Sequence, residues 1–356
     1  MARKLLGLRL RGWAMLAAAP AALVLHAADA PAALVFAACG LGIIPLAGLM
    51  GEATEALAAR SGPAVGGLLN ATFGNAAELI ITLFALRAGL IGLVKASLVG
   101  SVIGNLLLIL GAAIVAGSWG VPRVAFSAVN AGAAVGMMVL ALAAFAAPAL
   151  FALAHPSPDA ATLVHLSDGV AVVLVLTYAA SLLFTLRTHR AIVAPPSAGA
   201  AGTHRWSPAR AGAVLACATA LVAWLSEVLV GVTAEASHTL GLSEVFVGLV
   251  LVPIIGNAAE HATAIIVARK GQMDLAFQIA AGSSAQVALF VAPVLVLFGH
   301  VFGQRMDFAF SSFEVAALGL ASLAVGFVAL DGESNWFEGL QLIALYGILS
   351  VAAFFI

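Results

Sequence analysis

Long apolar runs make up most of this chain, and short segments with charged residues, proline or glycine separate them. A helix needs roughly 20 residues to cross about 30 Å of hydrocarbon, so each run of that length predicts a membrane span. The pattern predicts an all-α polytopic membrane protein with about 11 transmembrane helices. The predicted spans are residues 12–28, 32–59, 64–86, 91–117, 124–153, 164–187, 209–236, 244–268, 275–299, 312–330 and 336–356.

Composition agrees with this class and argues against several others. Hydrophobic residues are 63% of the 356 residues and charged ones 9%, whereas soluble domains carry about 25% charged residues. None of the three lysines precedes Ser or Thr, so the chain lacks the ending of an ATP-binding P-loop. Cys39 and Cys217 lie in apolar runs without CxxC spacing, which is typical of core packing rather than of a zinc cluster or disulfide framework. We expect a transporter, not an enzyme, with no cofactor and no nucleic-acid partner.

Basic residues predict how the spans are oriented. With a cytoplasmic N-terminus, twelve of the 15 basic residues fall on the inner side, and Arg87, Lys95 and Arg305 fall outside. This bias favours a cytoplasmic N-terminus in a bacterial inner membrane. Alternatively, the first run resembles a signal peptide that ends near Ala30, and its removal would leave ten spans with the same bias. Whether the chain forms a homo-oligomer is left open.

The pentapeptide Gly-Asn-Ala-Ala-Glu occurs twice, at Gly74–Glu78 and at Gly256–Glu260, with an offset of 182 residues. The same offset aligns Arg87 with Arg269 and Ser101 with Ser283. Two five-helix units follow, and because each has an odd number of crossings they are inverted relative to each other. The predicted division is an extra N-terminal helix (1–30), a first repeat (31–187), a flexible cytoplasmic linker (188–208) and a second repeat (209–356).

Within the repeats, aligned Gly and Ala positions are better explained by close helix packing, but two carboxylates in mid-membrane are not. Glu78 and Glu260 each lie near the centre of an apolar span, where an acidic side chain costs about 2.5–3.5 kcal/mol to insert. Asn75 and Asn257 each precede their glutamate by three positions, so amide and carboxylate share a helix face. Such residues predict a functional site at the repeat interface.

The chemistry of this donor set favours a hard cation. Carboxylates and amides supply oxygen ligands of the kind that Ca2+ prefers, and Gly74 and Gly256 are placed to loosen their helices and free main-chain carbonyls. Without the ion, two like charges in a low-dielectric site favour protons as replacement occupants. Competition between metal and protons is the physical basis of antiport. Mn2+ and other divalent ions fit the same argument.

Further polar residues are candidates with less specific roles. Hydrogen bonding between helices and lining of the ion site explain a first group of polar residues equally well. For His261, a second-shell or proton-relay role competes with an interhelical hydrogen bond. The first group is Ser101, Asn105, Ser283, Ser284 and Gln286. Four acidic residues suit ion entrances or gating, although carboxylates near helix ends are also explained by solvation at the interface. These are Glu52, Glu55, Glu227 and Glu235.

The segments Gly74–Ile80 and Val252–Ile265 resemble the two signature repeats of the Ca2+/H+ antiporter family of the cation/Ca2+ exchanger superfamily. The resemblance covers most of the chain and includes the family's eleven spans. It implies that Glu78 and Glu260 bind Ca2+ and exchange it for protons, with main-chain carbonyls and water completing the coordination. It also implies that spans 2 and 7 slide as gating helices over a more rigid core.

Three other functions would also place acidic residues within the membrane. Related branches of the superfamily exchange Na+, so a Na+- or K+-coupled cation/Ca2+ exchanger is the same-class alternative. A passive channel would also place carboxylates in the membrane, but no counter-ion gradient would drive flux through it uphill. An intramembrane metalloprotease is disfavoured, because Glu260-His261 lacks the order and spacing of an HExxH helix.

Overall fold

The computed structural model describes residues 15–155, 159–185 and 206–356. Within these residues twelve helices follow one another, and nine are long and apolar enough to cross a membrane. The three shorter helices are α1 (Ala18–Ala27), α3 (Gly62–Phe73) and α4 (Ala76–Arg87). The nine long ones are α2 (Ala32–Ala58), α5 (Ile91–Ser118), α6 (Ala128–Ala154), α7 (Ala160–Leu183), α8 (Pro208–Leu240), α9 (Glu244–Arg269), α10 (Met273–Phe302), α11 (Ser312–Ala329) and α12 (Trp336–Phe354).

These elements confirm the predicted all-α membrane class. The nine long helices correspond to nine of the predicted spans, while the predicted span 64–86 consists of α3 and α4. The predicted first span corresponds to α1, which has 10 residues, with residues 1–14 outside the described part of the chain. The count of eleven spans and the inverted relation of the repeats remain predictions. Residues 186–205, most of the predicted linker, also lie outside the described ranges.

Helix ends coincide with the residues that normally terminate helices. Ser127, Ser207 and Ser311 each accept a backbone N–H at the start of α6, α8 and α11. Gly241 and Gly303 follow α8 and α10 with φ of +64° and +70°, a conformation that glycine adopts without a steric penalty. The polar residues between the apolar runs therefore define the turns.

The interior of the bundle is built around α5. In its most apolar window 83% of the residues are buried, against 22% for α7, so α5 is surrounded by protein while α7 exposes most of its surface. Its fully buried residues include Ile103, Leu106 and Leu110. A helix that is apolar on all faces is stable where neighbouring helices cover it. The segment Gly104–Ile109 within α5 is π-helical, as are Val247–Leu251 in α9 and Val287–Val291 in α10.

At one end of the bundle, short polar contacts join the loop after α5 to the second half of the chain. Strand β1 (Val124–Ala125) pairs antiparallel with β2 (Glu333–Ser334), the segment before α12. The amide of Ser127 donates to Asp274 Oδ1 at 2.6 Å at the start of α10. These contacts fasten α5, α10 and α12 together at this end.

At the opposite end, an ion pair and a hydrogen bond join segments of the two halves. Lys95 at the start of α5 donates to Asp307 Oδ1 at 2.6 Å and to the carbonyl of Ala309 at 3.0 Å. His300 near the end of α10 lies 2.8 Å from Asp168 on α7. In each pair, both partners come from segments that the basic residues predicted to lie on the same side of the membrane.

Candidate ion-binding site

The two Gly-Asn-Ala-Ala-Glu motifs pack against each other in the middle of the bundle. A methyl group added at Gly256 would lie 3.4 Å from Glu78 Cβ, and one added at Gly74 would lie 3.7 Å from Glu260 Oε1. Each glutamate therefore packs against the glycine of the other motif. Both distances are ordinary van der Waals contacts, so the two motifs cross closely and their carboxylates lie in one site.

The backbone differs between the two motifs. α3 ends at Phe73, Gly74 and Asn75 form a turn, and Ala76 begins α4, so Glu78 lies in the first turn of a helix. The second motif lies inside continuous α-helix from Val252 to Arg269. A break of the kind expected from a helix-loosening glycine is present at Gly74, whereas the α-helix continues through Gly256. The interruption in α9 is the π-helical segment Val247–Leu251, which lies earlier in the chain.

The two asparagines of the motifs are held by hydrogen bonds to the opposite half of the chain. Asn75 accepts from Ser283 Oγ at 2.9 Å and donates to Gln286 Oε1 at 2.6 Å. Asn257 donates to Ser101 Oγ at 3.1 Å. The pairs Asn75–Ser283 and Asn257–Ser101 are related by the 182-residue offset. Fixed amide orientations leave the site with defined oxygen positions.

The remaining polar candidates of α5, α9 and α10 also make interhelical or local bonds. His261 Nε2 lies 3.0 Å from Asn105 Oδ1, and both side chains are buried. This contact is the interhelical bond that competes with a second-shell or proton-relay role for His261. Ser284 donates to the carbonyl of Ala280 at 2.9 Å within its own helix, so its contact gives no reason to assign it to the ion.

Carboxylate oxygens in the centre of the site have unmet hydrogen-bonding capacity. Within the described residues, Glu78 Oε1, Glu78 Oε2 and Glu260 Oε2 are buried and accept no hydrogen bond of ordinary geometry. Ser101 and Asn257 lie near the Glu78 carboxylate, and Ser283 lies near that of Glu260, but without the geometry that would satisfy these oxygens. Buried polar groups in proteins are nearly always paired, because an unpaired one costs several times the energy of a normal hydrogen bond. Bound cations or protons on the carboxylates would satisfy these oxygens.

A cavity of about 620 Å3 extends from one end of the bundle to this centre. It lies between α2, α3, α9 and α10, and its lining includes Glu260, Ser283 and Gln286 but does not include Glu78. Glu78 has only 1% of its surface exposed. The two equivalent carboxylates therefore differ in access: Glu260 faces the cavity, and Glu78 lies behind it.

The four acidic residues predicted for ion entrances or gating also differ in whether they line the cavity. Glu52 and Glu55 near the end of α2 line the cavity, as expected for an entrance. Glu227 lies outside the lining and pairs loosely with Arg87, 3.8 Å away, with more than half of each side chain exposed. Glu235 is exposed on α8 and is also absent from the lining. The cavity brings together the first pair and not the second.

Sequence reasoning missed three polar residues of the cavity wall. Asn70, Thr263 and Gln278 line it together with Glu52 and Glu55. Their spacing offered a signal, because Asn70 precedes Gly74 by four residues and Gln278 precedes Gln286 by eight, so each shares a helix face with a residue of the site. A search for amides one or two helical turns from each candidate site residue would have found Asn70 and Gln278, although not Thr263.

Comparison with known proteins agrees with this geometry. The family model described as sodium/calcium exchanger protein matches residues 31–187 and 211–355. The Ca(2+)/H(+) antiporter ChaA of Bacillus subtilis (strain 168) is 44% identical over 328 residues, which are 91% of this chain and 93% of the relative. A Ca(2+)/H(+) antiporter of Synechocystis sp. (strain ATCC 27184 / PCC 6803 / Kazusa) is 43% identical over 337 residues, 90% of this chain and 91% of that protein.

Solved structures give the same result. The Ca2+/H+ antiporter protein YfkE in selenium-substituted form superposes with a TM-score of 0.84 at 40% identity, covering 96% of this chain and 98% of that one. The H+/Ca2+ exchanger CAX superposes with a TM-score of 0.74 at 16% identity, covering 98% of this chain and 92% of that one, which shows a shared fold. As its two signature motifs predicted, the chain is an integral membrane protein that belongs to the sodium/calcium exchanger family and groups with the Ca2+/H+ antiporters within it.

Proposed function

We propose that this protein exchanges Ca2+ for protons across the membrane by alternating access. The observation that carries the proposal is the set of three buried carboxylate oxygens of Glu78 and Glu260 that accept no hydrogen bond of ordinary geometry from the described residues. They lie where two helical motifs cross, at the inner end of a polar cavity. Ca2+ is the transported substrate here, and no cofactor is required.

The proposed Ca2+ ligands are oxygens of both motifs. Glu78 and Glu260 contribute carboxylates, and Asn75 and Asn257 contribute amide oxygens. Asn75 Oδ1 already accepts from Ser283, but an amide oxygen has a second lone pair. The break at Gly74 supports a main-chain contribution there, because the last carbonyls of a helix lack intrahelical partners. Gly256 lies within a continuous helix and packs against Glu78, and water completes the six to eight ligands that Ca2+ takes.

Antiport follows from competition for the same oxygens. A bound Ca2+ neutralises the two carboxylates, and protons bound to them do so as well. The empty site, with two desolvated like charges, is costly to bury and therefore reorients rarely. Loss of one occupant thus has to be followed by binding of the other before the site crosses, which couples the two fluxes.

The position of the cavity opening indicates the side of the membrane from which the site is accessible. It opens at the end of α2 that carries Glu52 and Glu55, which the basic residues predict to be cytoplasmic. In the proposed orientation the N-terminus is cytoplasmic, the membrane is a bacterial inner membrane, and this is an inward-open state. The proposed halves, 31–187 and 209–356, are inverted repeats, and the contacts between segments expected on the same side support this arrangement.

Protons are the favoured coupling ion. The relatives from Bacillus subtilis and Synechocystis, both above 40% identity over most of their length, are named as Ca(2+)/H(+) antiporters. No observation at the site favours the Na+- or K+-coupled alternative.

Proteoliposomes containing the purified chain test the proposal. An imposed pH gradient is expected to drive Ca2+ uptake against a Ca2+ gradient, and the Ca2+ concentration for half-maximal rate should fall as pH on the Ca2+ side rises, because fewer protons compete. Replacing the pH gradient by a Na+ or K+ gradient should drive none. Absence of pH-driven flux, or equal flux with the other gradients, would refute proton coupling.

A further inference from the structure

A second, smaller cavity lies at the same end of the bundle as the loop between α5 and α6. It has a volume of about 270 Å3 and is formed by α5, α9 and α12. Its lining consists of Ala112, Val115, Ala116, Trp119, Arg269 and Ile343. Five of these six residues are apolar and one is a cation, a composition unlike that of the ion pathway.

The apolar wall is one face of α5. Ala112, Val115, Ala116 and Trp119 follow the i, i+3, i+4, i+7 spacing and therefore lie above one another on the helix. Deeper in the bundle the gap closes, because Gly111 touches α12 so closely that a methyl group there would lie 2.6 Å from the carbonyl oxygen of Gly339. The two alanines keep the wall recessed. The result is a short apolar groove with a closed inner end.

Arg269 supplies a positive charge without an acidic partner. The structure shows no hydrogen bond or ion pair to it within the described residues, and the sequence outside them contains no Asp or Glu. The nearby carboxylate of Glu333 pairs with Arg123 at 2.8 Å. Arg87, the repeat equivalent of Arg269, faces Glu227 instead. The first half thus pairs this arginine within the chain, and the second half leaves it available to an external anion.

Trp119 places the groove at the membrane interface. Its side chain follows the end of α5 and is 79% exposed, and tryptophan is enriched where acyl chains meet headgroups. An apolar groove that ends at a cation at this depth matches a molecule with an acyl chain and an anionic headgroup. Basic pockets between transmembrane helices are known to bind such headgroups.

We propose that this groove is a binding site for an anionic phospholipid, with the phosphate on Arg269 and the start of an acyl chain along Ala112, Val115 and Ala116. In the predicted orientation the lipid belongs to the cytoplasmic leaflet. This inference is independent of the proposed transport function, because none of its residues lines the ion cavity.

Native mass spectrometry of the full-length protein with added phosphatidylglycerol or phosphatidylcholine tests the site. Wild type should retain phosphatidylglycerol in preference to phosphatidylcholine. Arg269→Gln should weaken phosphatidylglycerol binding about fivefold, the effect of one basic residue at an anionic surface. Lys270→Gln removes the adjacent charge, which is not part of the lining, and should preserve the preference. Ala116→Leu, which keeps the charge and fills the groove, should weaken binding as well.

Each other outcome argues against the site. Equal losses in Arg269→Gln and Lys270→Gln would indicate general surface attraction. Full retention in Ala116→Leu would mean that the acyl chain lies elsewhere. If inorganic phosphate displaces the bound lipid and stabilises wild type against heating as well as phosphatidylglycerol does, the occupant is a free anion. The Ca2+ flux of each variant in proteoliposomes verifies that it is folded.

Discussion

The two copies of Gly-Asn-Ala-Ala-Glu share a sequence but occupy different surroundings. The first follows a break between two short helices, its glutamate is sealed from the cavity, and its asparagine has two side-chain partners. The second lies in a continuous helix, its glutamate faces the cavity, and its asparagine has one. The cavity is lined by small residues of both motifs, Gly74 and Ala77 in the first and Gly256 and Ala259 in the second, but it reaches only the carboxylate of the second. The difference between them therefore describes the access state of the molecule, whereas their likeness describes the ion site.

Loss of either carboxylate should have the largest effect. We expect Glu78→Gln and Glu260→Gln each to lower pH-driven Ca2+ flux roughly 100-fold or more, because the buried Ca2+ loses one of its two compensating carboxylates, and removing one partner of a buried ion pair costs about 3–5 kcal/mol. Flux into proteoliposomes measures this. An equal loss of flux in the two variants would show that the sealed carboxylate of Glu78 and the accessible carboxylate of Glu260 belong to one site.

Glu244→Gln is the matched control, because Glu244 is exposed at the start of the same helix as Glu260. It should retain the wild-type rate. If Glu78→Gln transports normally, then Glu260 alone carries the exchange and the paired-carboxylate site is wrong.

The second-largest effect should be a difference in solvent accessibility between equivalent positions of the two halves. Ser283 lines the cavity, while its repeat equivalent Ser101 is fully buried. In a background without Cys39 and Cys217, Ser283→Cys should react with a membrane-impermeant maleimide about tenfold or more faster than Ser101→Cys. The reason is that Ser101 must wait for a minor conformation, typically 0.1–10% populated. Labelling rates in inverted and right-side-out vesicles measure this and also identify the side of the opening.

Comparable rates for both cysteines from the same side would contradict a cavity that reaches Ser283 but not Ser101. Faster labelling of Ser283→Cys from the periplasmic side would reverse the proposed orientation while preserving the difference between the halves.

Replacing the two motif asparagines should lower the free energy of unfolding of the protein by different amounts. Asn75→Ala removes two interhelical hydrogen bonds, to Ser283 and Gln286, and Asn257→Ala removes one, to Ser101. Such bonds in membrane proteins contribute about 0.6 kcal/mol each on average, so we expect losses of about 1.2 and about 0.6 kcal/mol in the free energy of unfolding. Chemical denaturation in mixed micelles measures both. Equal losses would show that the bond to Gln286 contributes nothing measurable.

Much of this architecture could be predicted because it depends on local sequence. Hydrophobic length predicts a span wherever the helix is continuous, so α5 and α9 were placed within a few residues. The repeated motif was sufficient to pair Glu78 with Glu260, since an acidic residue in an apolar span is rare.

The differences between the halves could not be predicted in this way. The same four residues, Asn-Ala-Ala-Glu, follow Gly74 and Gly256, yet only the first glycine lies at a break in its helix, so the motif alone does not predict where the helix is interrupted. Likewise, the offset aligns Arg87 with Arg269 but says nothing about Glu227, whose own equivalent is Pro45. Both differences between the halves depend on contacts between segments that are distant in the chain.

Replacing His261 by leucine should have the smallest effect, and it makes the second motif resemble the first, where Leu79 is the equivalent residue. His261 lies against Asn105 and does not line the cavity, so its loss removes one buried interhelical bond. We expect a loss of about 0.6 kcal/mol, at most about 1.7, with the pH dependence of Ca2+ flux unchanged. Asn105→Leu should cost a similar amount, and the double variant should cost less than the two losses combined, because both single changes remove the same contact. A shifted pH dependence in His261→Leu, with Asn105→Leu behaving as wild type, would instead assign the imidazole to the proton path and make the second motif chemically, and not only structurally, different from the first.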